Sequence, residues 1–136
     1  TAGGHPVGCA LALEAIDIII NEKMIENVRH LEPIFMGGLK NFEDLEFIGE
    51  SRGIGLMGAL EMVQDKKNKL PFDGSISIGE RVANKCIENG LICRPLGPSI
   101  VLCPPFITSE EEMGIIFDTL EKTLKEVFSE VKSLGQ

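Results

Sequence analysis

The 136 residues carry 13 basic and 21 acidic side chains, a formal charge of −8 and a pI near 4.8, with 43% hydrophobic and 25% charged residues. That is the composition of one ordinary globular domain, able to bury roughly two-thirds of its unfolded surface without a disulfide or metal staple. The acidic balance argues against nucleic acid as a partner, because that affinity depends on counterions released by a Lys/Arg-rich face. No membrane partner is expected either: the apolar run around Ile16 to Ile20 falls far short of the ~18–20 residues of a span.

No signal-peptide pattern opens the sequence. Thr1-Ala2-Gly3-Gly4-His5-Pro6 reads as a loop, either a processed end or the continuation of something longer. Pro6 suits a first helical position and starts a helix. From Val7 to Glu22 the polar positions Glu14, Asp17 and Asn21 recur at helical intervals and leave a wide apolar surface. A helix so apolar wants protein on more than one side. A second helix is expected from about Met24 to Phe42, with Leu31, Ile34, Phe35, Leu39 and Phe42 as its buried stripe and Pro33 interrupting one hydrogen bond.

From Leu45 the period changes. Phe47 to Arg52 and Gly53 to Val63 read as two strands, the glycines of the second marking a close backbone approach or a bulge. Residues 65–74 form a polar loop whose lysines are read as solvated rather than as a phosphate patch. A third helix covers roughly Ile76 to Asn89, with Gly90 at its left-handed cap. Leu91 to Arg94 and Ser99 to Cys103 are short strands joined through Pro95-Leu96-Gly97-Pro98. Ser109 and Glu112 form a capping-box signature, and the last helix runs to about Leu134 over Ile116, Leu120, Leu124, Val127 and Val131. The order α-α-β-β-α-β-β-α implies an α+β layer, a small and mostly antiparallel sheet of about four strands with helices on one face.

The chemistry is sparse. Cys9, Cys86, Cys93 and Cys103 show no C-x-x-C spacing, and with only His5 and His30 beside them no metal site is expected. They read as buried or half-buried free thiols in a reducing cytoplasm. Gly53, Gly55 and Gly58 do not have the spacing of a dinucleotide loop, and His5 is read as a capping or packing residue. Two features resist a purely structural reading. Thr1 and the Gly3-Gly4 turn ahead of a helix are equipment for holding a phosphate. Arg94, one of four arginines, ends a strand among apolar residues, where it either pairs with an internal carboxylate or recognises an anionic ligand.

Four segments, Thr1 to Ala10, Ser51 to Glu61, Gly90 to Gly97 and Val101 to Thr108, together resemble the C-terminal part of class III pyridoxal-phosphate-dependent aminotransferases, in particular the ω-amino-acid:pyruvate branch. The resemblance covers the whole chain but only the last third of such an enzyme. It implies the small C-terminal domain of the fold-type I transferase fold, with residues 1–43 as interdomain and interface helices and residues 44–136 as the small α+β domain. It implies that Thr1 reaches across a homodimer to the cofactor phosphate, although Ala2 departs from the aromatic residue common at that position. It implies that Arg94 binds a substrate carboxylate, and that Val101 stands where enzymes acting on α-carboxylates often carry another arginine. The Schiff-base lysine precedes all four motifs in the family, so no catalytic residue is assigned in this chain. Pyridoxal phosphate is expected to be bound by the parent enzyme, not held stably by this part alone. The parent would exchange an amino group between an ω-amino acid or amine and pyruvate or a similar keto acid. The competing reading is a non-catalytic, independently folded binding or oligomerisation module.

Overall fold

The computed structural model describes residues 3–134. Helix α1 spans Pro6–Asn21 and α2 spans Met24–Asn41, followed by a 3-10 turn at Phe42–Asp44. Strands β1 (Ile48–Ile54) and β2 (Met57–Met62) form a hairpin, helix α3 spans Ile78–Glu88, and β3 (Arg94–Leu96) and β4 (Ser99–Leu102) form a second hairpin before α4 (Glu110–Leu134). The sheet order is β1-β2-β4-β3, and every neighbouring pair is antiparallel.

Alternation along the strands assigns the two faces. Leu60 and Met62 of β2 and Ile100 and Leu102 of β4 are buried, packing with Phe35 and Leu39 of α2, Val82 and Cys86 of α3 and Leu120 and Leu124 of α4 in one apolar core. α2 therefore shares the core of the sheet. Its approach is close at Gly58, where an added Cβ would stand 2.3 Å from Leu39 Cδ1 and 2.8 Å from Phe35 Cε1. The glycine pattern of the second strand thus marks a close approach, as its sequence suggests. The bulge lies instead in β1, where the register shifts between Ile48 and Glu50.

The local signals account for most element ends. Ser109 and Glu112 form a reciprocal capping box: the Ser109 N–H donates to Glu112 Oε2 at 2.8 Å and the Glu112 N–H to Ser109 Oγ at 3.2 Å. Gly90 takes a φ of +87°, and the Leu91 N–H returns to the Cys86 carbonyl at 2.8 Å. Some limits move. The first hairpin turns at Gly55-Leu56, so Gly53 and Ile54 belong to β1, because Leu56 is pulled into the core. α3 begins two residues late, after a 3-10 turn at Gly74–Ile76 held by Asp73. The second turn is Gly97-Pro98, since Pro95 and Leu96 already pair with Ile100 and Ser99. Ile34 and Ile116 leave the buried stripes: Ile34 is exposed and Ile116 half-exposed, while Met113 and Phe128 are buried in α4.

α1 stands apart from this core. None of its residues is buried, and Leu11, Leu13 and Ile20 are each about two-thirds exposed. At 100° per residue, Val7, Leu11 and Ile18 fall on one side of the helix and Cys9, Leu13, Ile16 and Ile20 on nearly the opposite side. Only the sector of Glu14, Asp17 and Asn21 is polar.

Candidate functional site

The sheet face turned away from α2, α3 and α4 carries a row across all four strands. The register pairs Arg52 with Ala59, Ala59 with Val101, and Val101 with Arg94. Directly opposed residues of an antiparallel ladder share a face. Val101, flanked in sequence by buried Ile100 and Leu102, places the row on the open side. Ile54 and Met57 extend that face at 69% and 60% exposure. The open face thus carries exposed apolar side chains beside its charged ones.

The two arginines of the row differ. Arg52 is neutralised in place, its Nη1 lying 3.0 Å from Glu61 Oε2 and 3.2 Å from Glu50 Oε2. Arg94, at the start of the edge strand, is exposed and makes no hydrogen bond or ion pair among the described residues. Its neighbours are Ile92 (86% exposed), Leu96 and Val101. A free guanidinium beside aliphatic side chains suits a ligand with a carboxylate at one end and a hydrocarbon stem behind it. Of the two outcomes open for Arg94 in sequence, pairing with an internal carboxylate does not occur among the described residues. Thr1 lies outside the described residues.

The thiols depart from expectation in part. All four are free, but Cys9 and Cys103 are exposed, because α1 and the segment after β4 are uncovered. Cys86 is buried in α3 and lies against Cys93, one residue before Arg94. That contact, with burial, pushes the Cys93 thiol up; the same contact, with help from Thr123, holds Cys86 below the ordinary thiol range against the opposing effect of burial. His5 takes the N-cap position of α1, yet its side chain makes no capping hydrogen bond.

Pyridoxal phosphate requires a lysine amine that can lose its proton. Eight of the nine lysines are exposed. Lys85 is half-buried, and Glu88 raises its pKa, the opposite of what Schiff-base formation needs. The residues of this chain do not fit a covalently held cofactor. What they offer is Arg94, a guanidinium on the open sheet face without a partner among the described residues.

Two residues bearing on this wall carry no sequence signal. Gly79 meets the turn of the second hairpin, and Glu43 pins β1 by accepting from the Ser51 N–H at 3.0 Å and from Lys40 at 2.5 Å. Gly79 depends on a contact 18 residues away, and Glu43 on a turn that brings it back to Ser51 of β1, which periodicity does not reveal.

Comparison with known proteins bears on the family and the fold. A family model described as "Aminotransferase class-III" matches residues 1–124. Gamma aminobutyrate transaminase 1, mitochondrial, of Solanum lycopersicum is 38% identical over 98% of this chain and 26% of its own length. Among solved structures, the omega-transferase of Vibrio fluvialis JS17 is 59% identical with a TM-score of 0.94, covering 98% of this chain and 32% of that one. An omega-aminotransferase from Paracoccus denitrificans is 60% identical with a TM-score of 0.94, covering 96% and 29%. The chain thus spans between a quarter and a third of the length of these relatives. With the family model matched over most of the sequence and the four-stranded α+β architecture in agreement, the chain belongs to the class III aminotransferases.

Proposed function

We propose that this chain forms the carboxylate-gripping wall of an aminotransferase active site that further polypeptide completes. The reaction is exchange of an amino group between an ω-amino acid or amine and pyruvate or a similar keto acid. The observation that carries the reading is Arg94, a guanidinium without a protein partner among the described residues, on an uncovered sheet face and in register with apolar Val101. When bound in the parent, pyridoxal phosphate supplies the electron sink of amino transfer. The chain's own residues bind and orient. Arg94 pairs with the carboxylate of an ω-amino acid or keto acid, and Val101 keeps the adjoining floor apolar, so that one carboxylate is held rather than two. Thr1, ahead of α1, serves as a ligand to the cofactor phosphate of a partner copy.

Exposed apolar side chains on two surfaces support incompleteness. α1 has apolar sides nearly opposite one another, and the open sheet face carries Ile54 and Met57. A helix apolar on two sides is served by two bodies, here the remainder of a longer chain and a second copy. An independent oligomerisation module would cover α1 but leave Arg94 without a task.

The test is a half-reaction assay on the complete enzyme carrying this segment, reading cofactor absorbance with β-alanine or benzylamine as donor. Arg94→Ala should raise the half-saturating concentration of β-alanine at least tenfold, about 1.4 kcal/mol, and leave benzylamine within twofold. Equal effects on both donors would refute the role of Arg94.

A further inference from the structure

Arg94 sits on a strand that holds itself poorly. β3 is three residues long, occupies the sheet edge and pairs with β4 alone. A ladder that short leaves the height and tilt of the strand to whatever lies beneath it. Beneath it lies α3, which meets the hairpin on both sides of Arg94. In the first turn of α3, a Cβ added to buried Gly79 would stand 2.2 Å from the Gly97 carbonyl oxygen and 3.5 Å from that of Ser99. The hairpin turn therefore rests on bare backbone. Gly97 itself holds a φ of +57°, the left-handed conformation that this tight turn takes from glycine. Two helical turns further on, buried Cys86 belongs to the core against which Cys93, the residue before Arg94, packs.

We propose that α3 is the seat of the substrate-binding arginine, with Gly79 under the Gly97 carbonyl and Cys86 under Cys93 as positioning residues for carboxylate recognition. This rests on the reading of Arg94 given above. A methyl group at position 79 needs about 1 Å of added clearance to reach an ordinary contact. A displacement of about 1 Å can cost about 100-fold where a group must meet its ligand in fixed geometry.

The experiment compares Gly79→Ala, Cys86→Ala, Arg94→Ala and Gly114→Ala in the complete enzyme. Gly114 lies in α4, where an added Cβ meets nothing within 4 Å. Gly79→Ala should raise the half-saturating concentration of β-alanine about 10- to 100-fold and leave benzylamine within twofold, with Cys86→Ala shifting it the same way by less. Gly114→Ala should match the unsubstituted enzyme. A structural readout on the 136-residue chain accompanies this: in amide spectra, Gly79→Ala should shift Arg94, Leu96 and Gly97 and leave Ser51 to Gly53 of β1 in place. If Arg94→Ala is selective against β-alanine but a folded Gly79→Ala is not, the seat is refuted while Arg94 stands. Should Gly79→Ala not fold, an unchanged β-alanine value in Cys86→Ala refutes it. If Arg94→Ala itself shows no selectivity, the reading of Arg94 falls and the seat with it.

Discussion

Replacing Leu13, Ile16 and Ile20 of α1 together by lysine should leave the stability of the isolated chain nearly unchanged. The three side chains keep 66%, 53% and 65% of their surface exposed, so little burial is lost. Lysine is at least as good a helix former as leucine or isoleucine, and exposed substitutions usually stay within about 0.5 kcal/mol each. The comparison is Leu39→Ala on α2, whose side chain is 0% exposed; truncating a buried leucine costs about 2–5 kcal/mol. The six exposed large apolar residues of α1 together leave roughly 600 Å² of apolar surface uncovered, and at about 25 cal/mol per Å² covering it is worth up to about 15 kcal/mol. That energy is available to a body that covers the helix and is absent from the chain alone. Urea unfolding reads the stability term, and sedimentation velocity reads self-association, which the three lysines should suppress. A loss above about 2 kcal/mol in the triple variant would mean that α1 is already covered within one chain, and the argument for incompleteness would fail.

Three further outcomes follow from the packing and titration of the domain. Gly58→Ala drives a Cβ into Leu39 and Phe35 and should cost about 1–3 kcal/mol, while Gly114→Ala, in open space on α4, should gain up to about 1 kcal/mol; paired urea titrations check both. The Glu43 carboxyl is held down to about 2, by Lys40 first and then by Ser51. Its folded pKa lies below the unfolded one, so its contribution is complete above about pH 4.5 and is lost as pH falls through about 2. Thermal melts from pH 7 to 2 should show Glu43→Gln below the unsubstituted chain at neutral pH and converging with it near pH 2; a constant gap would contradict this. Iodoacetamide at pH 8 should label exposed Cys9 and Cys103 well before half-buried Cys93 and buried Cys86, as read by peptide mass mapping, and equal rates would contradict this packing.

Local signals in the sequence determined much of this fold. Pro6, Gly90 and the Ser109/Glu112 box are decided within a few residues, and the ends they mark stand where expected. The β1–β2 turn was legible only in part. Alternating glycines run from Gly53 to Gly58, and the choice of Gly55-Leu56 depends on Leu56 reaching the core. Ile34 and Ile116 satisfy the helical period yet stay out of the buried stripes, because period alone does not fix how wide a stripe neighbouring elements cover. At the site, the strand and apolar surroundings of Arg94 were visible, but its freedom was not. Arg52 sits on the same row and is neutralised by Glu61 across the strand pair, a distinction that only register reveals. The bearing of Gly97 on Gly79 joins residues 18 apart through a helix and a turn, and nothing local marks it.

The most direct measurement asks whether these 136 residues complete a site they do not contain. Substituted for the matching segment of the Vibrio fluvialis enzyme, they should restore amino transfer from β-alanine to pyruvate. The isolated chain, saturated with pyridoxal phosphate, should show none. Amino transfer by the isolated chain, or a folded chimera that binds cofactor yet gains no carboxylate recognition from Arg94, would contradict the account.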